Sequence, residues 1–389
     1  LARLPISMVP LCMVLLIQQV RGTYTSAGLV TAAYALGSAS GAPLLGRAMD
    51  AFGQPQVLLP AATVSAGMLT ALAIASVHGV GDGPLIVLAA VCGLTFPVIT
   101  PAMRGAWRVL LSGTEDLDAA YALDATAVET IFVGGPLLLS ALLLAVPPVM
   151  PLLVTAGLLF TGTVGYVLSA PARTWVPAPP PDGPGTRAVS PLRARGMPAV
   201  LAVSAAMAVG FGHLDVAIAA TAREVLNAPT AVGLLFAAVS GGSVTGGLWY
   251  GARTWRTPEH RRLPVALTGF ALGLLVLGGL LFTVLAHLPA KARLGVLLPV
   301  LFATGMSVAP SLIVQQSLVD GLAPQHRLGE AQSWLTTGLA GGSAAGTAIG
   351  GVLVDLAGPG LSYTGAAAAV AVAVVLALMV RRRWPAPGR

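Results

Sequence analysis

Residues 171–198 read PARTWVPAPPPDGPGTRAVSPLRARGMP, and this stretch divides the chain. Its eight prolines forbid a continuous helix, and its composition suits a flexible, solvated linker. On both sides the sequence turns apolar at once. Of 389 residues, 56% are hydrophobic and only 9% charged, and the mean hydropathy is +0.85. Soluble domains carry about 25% charged residues, so a water-soluble protein is excluded. Apolar runs fall at 1–20, 27–46, 56–78, 84–105, 120–145 and 149–169 before the linker. They resume at 199–220, 230–250, 264–286, 294–318, 329–353 and 361–380 after it. Each is close to the ~20 residues a spanning helix needs. The sequence therefore predicts an all-α membrane protein of twelve transmembrane helices in two six-helix lobes. The lobes are expected at 1–170 and 199–389, with a basic tail on the second and a linker over 171–198. The chain opens on Leu1 and is already apolar, so the first span is expected to be truncated. No charged, cleavable leader is visible.

Charge sets the orientation. Of the 21 Lys and Arg residues, Arg3 falls within the first span, and Arg21, Arg223, Lys291 and Arg293 fall on the face opposite the linker. The other sixteen fall on the linker face. Basic loops stay cytoplasmic, so both termini and the linker are expected inside a bacterial cytoplasmic (inner) membrane. The formal charge of +7 is thus topology, with added contact to anionic lipid, and no nucleic-acid surface is implied. The single lysine, Lys291, follows Ala290, which excludes a Gly-Lys-Ser/Thr phosphate loop. Cys12 and Cys92 lie in apolar runs without paired spacing, and the five histidines form no i, i+4 pair. No enzyme, metal site or cofactor is expected.

The halves repeat weakly. Ala27-Gly28-Leu29 corresponds to Val232-Gly233-Leu234, and Gly41 and Gly46 to Gly246 and Gly251, at an offset of 205 residues. Such parallel repeats characterise two-lobed secondary transporters with a substrate site between lobes near the midplane. Small residues recur every fourth position at Gly37 and Gly41, at Gly242 and Gly246, and at Gly342, Gly346 and Gly350. That spacing lets helix backbones approach closely, either as static packing or as sliding faces between lobes.

At the end of span 2 the sequence reads GAPLLGRAMDAFGQPQVLLP, residues 41–60. It resembles the loop 2–3 signature of the major facilitator superfamily, carried here by Gly46, Arg47, Asp50 and Gly53. Ala51, Gln54 and Pro55 stand where that family has basic residues. The resemblance implies a gating role for this loop, with Asp50 facing the start of span 11 at the positive end of a helix. Span 5 carries Glu129-Thr130-Ile131-Phe132-Val133-Gly134-Gly135-Pro136, similar to the Gly-Pro element of the family's exporters at Gly135 and Pro136. Leu138 and Leu139 follow where the antiporter motif continues with glycines. Residues 2–8, 247–253 and 329–334 look like those of actinobacterial members.

Ionisable groups inside spans cost a few kcal/mol to insert and are functional by default. Those placed by sequence are Arg3, Arg104, Asp124, Glu129, His213, Asp215 and Glu330. Proton coupling needs a carboxylate that is buried yet alternately exposed. Glu129 is the deepest acid of the first half and the first candidate, its alternative being a structural partner of Arg104. Asp215 is the second, its alternative a fixed pair with Arg3 or a span-end acid. His213 suits a proton relay or a packed hydrogen-bonding role. Arg104 either pairs with Asp124 or Glu129 or snorkels to headgroups. Asp124 and Glu330 read as structural. The expectation is a proton-coupled exporter of small amphiphilic or drug-like molecules working by alternating access. The alternatives are a nutrient uptake symporter for sugar, peptide or amino acid, and a lipid flippase or sensor. Expected partners are a small-molecule substrate, protons and membrane lipids, with the chain monomeric.

Overall fold

The computed structural model describes residues 1–110, 116–174, 191–194, 196–253, 255–283, 288–322 and 328–380. They are helical throughout, with no strand among the described residues. Nine helical stretches among them are long and apolar enough to cross a membrane, and Pro5–Arg21 and Thr130–Ala145 are shorter apolar helices. The last long stretch contains a helix break, so the set is consistent with twelve crossings. The chain forms two compact units, one of Leu1–Gly22 and Ala33–Thr186, the other of Thr23–Ala32 and Arg187–Arg389.

The first unit holds α1 (Pro5–Arg21), most of α2 (Tyr24–Phe52), α3 (Gln54–Val77), α4 (Asp82–Leu94), α5 (Ile99–Leu110), α6 (Asp116–Ala145), α7 (Met150–Val167) and the short α8 (Ala170–Thr174). The expected span 84–105 is two helices. Pro97 lacks an amide hydrogen and disfavours helix at the residue before it, so α4 stops at Leu94 and α5 starts at Ile99. Arg21 in the last turn of α1 pairs at 3.2 Å with Asp82 in the first turn of α4. Each charge sits at the helix end whose dipole favours it. Arg3 lies in the turn before α1 and is buried.

The second unit holds α9 (Met197–Ala220), which runs on into a π turn at Thr221–Val225, then α10 (Val232–Gly251), α11 (Glu259–Thr283), α12 (Ala290–Gly305), α13 (Val308–Leu322) and α14 (Leu328–Val380). The expected span 294–318 is likewise interrupted, between Gly305 and Val308. At 53 residues an unbroken α14 would be about 80 Å long, far beyond the ~30 Å hydrocarbon core. It breaks at Ala357 and Gly358, where Gly358 has φ +75° and ψ −178° and Pro359 follows. That backbone region is open essentially to glycine alone. The two pieces occupy the expected spans 329–353 and 361–380.

The glycine pairs act inside each unit rather than as sliding faces. A Cβ on Gly37 or Gly41 of α2 would lie 2.2 or 2.0 Å from the carbonyl oxygens of Ala90 and Leu94 on α4. In the second unit, Cβ atoms on Gly242 and Gly246 of α10 would lie 1.9 and 2.0 Å from those of Phe302 and Met306 on α12. The fit is returned from the other side by Gly93 against Tyr34 and by Gly305 against Val239. The same interlock of two helices is therefore built twice, which is the structural form of the sequence repeat. Gly342 and Gly346 pack on α9 backbone in the same manner.

Candidate functional site

Helix α9 carries the best described candidates. Its sequence MPAVLAVSAAMAVGFGHLDVAIAA is apolar on every face and largely buried. Gly212 brings it onto α14, a Cβ there falling 2.1 Å from the Ser343 oxygen. The next residue, His213, is buried at the break of α14. Its Nδ1 lies 3.4 Å from Ser362 Oγ, and that hydroxyl donates to the His213 carbonyl at 3.2 Å. Gly350 and Gly365 leave room for the ring, at 3.1 and 3.3 Å from where their Cβ atoms would be. This is the geometry of a packed hydrogen-bonding histidine.

Asp215 is different. Two residues turn an α-helix by about 200°, so Asp215 points away from the His213–Ser362 pair. It is half-buried and has no hydrogen bond or ion pair among the described residues. The two candidates of α9 are therefore not one site. Asp215 stands five residues before the end of α9, and a carboxylate without a partner in an apolar helix is costly to keep charged.

In the first unit, α6 carries Asp124, Glu129, Gly135 and Pro136. The side chains of Asp124 and Glu129, with those of Arg104, Asp50 and Glu330, lie outside the described residues. Gly135 is the point where α6 meets α1: a Cβ would fall 2.0 Å from Ser7 Oγ. Ser7 donates to the Ile131 carbonyl at 2.9 Å, one turn before the buried Pro136. In the loop signature, Gly53 has φ +92° and ψ 156° and joins α2 to α3 in a single residue, again a glycine-only conformation. Gly46 has no neighbour within 4 Å of a Cβ, and Arg47 is exposed.

Two residues escaped the sequence reading. Gln54 is buried and ties three helices together: its Nε2 donates to Ala102 O at 3.0 Å, and its Oε1 accepts from Tyr166 Oη at 2.8 Å. Asp355, one turn before the α14 break, receives the first turn of α2. Tyr24 N–H and Thr25 N–H donate to its two oxygens at 2.7 and 2.6 Å, and Thr25 Oγ1 adds a third bond at 2.5 Å. Around it a Cβ on Gly351 would stand 2.2 Å from Tyr24 O, and one on Gly28 would stand 2.6 Å from Thr347 O. Arg223 and Glu224 of the π turn lie within electrostatic range of Tyr24. The available signal was an acid just before Gly358-Pro359, where a helix must end.

No group of His, Cys, Asp and Glu suited to a metal occurs among the described residues. No curated protein sequence matches the chain significantly. Solved structures do resemble it. The nucleoside transporter NupG superposes with a TM-score of 0.70 at 12% identity, covering 99% of this chain and 100% of that one. A bacterial homologue of the iron transporter ferroportin, in an inward-facing state, gives 0.71 at 16%, covering 98% and 97%. The peptide transporter POT gives 0.68 at 15%, covering 98% and 93%. At these identities the likeness establishes the fold. The family model described as Major Facilitator Superfamily matches residues 1–289, most of the chain, and the protein belongs to that superfamily of membrane transporters.

Proposed function

We propose that the protein is a proton-coupled exporter of small amphiphilic or drug-like molecules, cycling by alternating access. The reading places it in a bacterial inner membrane as a monomer, with lobes over 1–170 and 199–389 and with the linker and both termini in the cytoplasm. Asp215 is the observation that carries it. A carboxylate without a partner, held in an otherwise apolar helix, is costly unless it trades between a proton and a ligand. Glu129 is its counterpart on α6, near the Gly135–Pro136 element that resembles the exporters'. The apolar composition of the chain, 56% hydrophobic and 9% charged, favours apolar and cationic cargo over sugars.

Uptake is the second reading, favoured by Leu138 and Leu139 in place of the antiporter glycines. Transport in vesicles with an imposed pH gradient separates the two: export requires cargo to move against the proton flow, and co-movement selects uptake.

A further inference from the structure

The end of α10 and the start of α11 form a cationic, aromatic edge. Between Gly247 and Leu263 the sequence GLWYGARTWRTPEHRRL holds four arginines and a single acid, Glu259. One arginine and the acid are already engaged. Arg262 donates to Tyr250 Oη, lies over the rings of Tyr250 and Trp255, and pairs at 3.8 Å with Glu259. Glu259 also accepts from Ser317 at 2.8 Å. Trp255 stacks on Tyr250 with ring centroids 4.8 Å apart and donates its Nε1–H to Tyr250 O at 2.8 Å. This inner layer is a rigid base.

Three arginines remain outside it. Arg253, Arg256 and Arg261 are exposed, and none is in an ion pair among the described residues. Arg253 is posed over the half-exposed Trp249, its guanidinium carbon 4.4 Å from the ring centroid. Just towards the membrane on the same two helices, Leu248 and Val265 are 71% and 72% exposed. Depth decides what meets this edge. Trp249 lies 17 residues beyond the start of α10, about 26 Å along its axis, against a hydrocarbon core of about 30 Å. Trp249 and the arginines therefore stand at the headgroup plane, with apolar side chains below it. Tryptophan prefers that level, and basic residues there are drawn to an anionic surface.

We infer that the α10–α11 edge is a binding site for an anionic phospholipid, its phosphate held by Arg253, Arg256 and Arg261 and its acyl chain laid along Leu248 and Val265. The site is independent of cargo and of transport direction.

The test is thermal unfolding of the full chain in mixed micelles of phosphatidylcholine alone, or of phosphatidylcholine with phosphatidylglycerol in equal parts. Phosphatidylglycerol raises the midpoint of the wild type. Arg253→Gln with Arg256→Gln removes most of that rise, and Arg261→Gln alone, a milder change, removes part of it. Arg173→Gln with Arg193→Gln, an equal charge loss at exposed positions elsewhere, leaves the rise intact. The inference is overturned if the wild type shows no rise, if the control pair loses as much as the site pair, or if inorganic phosphate alone reproduces the rise.

Discussion

The carboxylate of Asp355 closes the N-terminus of α2, taking the Tyr24 and Thr25 amide hydrogens at 2.7 and 2.6 Å, one on each oxygen. Main-chain donors at a helix start are unsatisfied by the helix itself, and an acidic cap there contributes about 1 kcal/mol. The bond holds the first turn of α2 against α14 within the second compact unit. Asp355→Ala is expected to release the tip about fivefold more often, the factor that about 1 kcal/mol represents. Cys12 and Cys92 are buried, so a cysteine at Ala27, which is fully buried in the α2 tip, gives a thiol-labelling reporter of its release. Labelling that is no faster in Asp355→Ala than in the parent would remove Asp355 as a latch.

Gly351 and Gly46 offer a contrast in what glycine does. A Cβ on Gly351 would sit 2.2 Å from Tyr24 O, whereas one on Gly46 meets nothing within 4 Å. Gly351→Ala should raise labelling of a cysteine at Ala27 as Asp355→Ala does. Gly46→Ala should leave the thermal midpoint unchanged, and a loss of transport without a loss of stability would then assign Gly46 to gating. Gly53→Ala faces φ +92° and should destabilise by about 1 kcal/mol or more.

His213 and Asp215 should separate cleanly. His213 packs against Ser362 at the α14 break, so His213→Ala should lower the thermal midpoint by leaving a cavity worth a few kcal/mol, while Ser362 keeps its bond to the backbone carbonyl of residue 213. Asp215→Asn keeps the shape and should leave stability unchanged or raised, while weakening proton release on ligand addition. The reverse pattern would make His213 the coupling group and Asp215 a structural one.

Gln54 is buried between α3, α5 and α7, and Gln54→Leu would remove its bonds to the Ala102 carbonyl and the Tyr166 hydroxyl. A cost of about 2 kcal/mol is expected from two lost buried bonds. Tyr166→Phe removes one bond and should cost about half of that by the same measure. Equal midpoints for all three proteins would show that the cluster contributes nothing to stability.

Much of this architecture is written in local chemistry. Apolar run length gives the spans, Pro97 gives the interruption between α4 and α5, and Gly358-Pro359 gives the division of α14, because each acts within a few residues of itself. Gly37 and Gly41 were visible as a close-approach face, but the partner was not, since spacing along one helix carries no record of which neighbour it meets. Asp355 and Gln54 were missed for a related reason. Their partners lie 331 and 48 residues away in sequence, and a polar residue near a span end looks the same whether it faces water or caps a neighbouring helix. The place of Asp215 on an apolar helix was legible, but its separation from His213 required the orientation of α9 against α14.

The measurement that bears most directly on proton-coupled export is proton release from purified protein in detergent on adding a panel of cationic and neutral amphiphiles. It compares the wild type with Glu129→Gln and Asp215→Asn. The account predicts release from the wild type and its loss in at least one of the two variants, because ligand and proton compete for one carboxylate. Ligand binding that releases no proton from the wild type, or equal release from all three proteins, would contradict it.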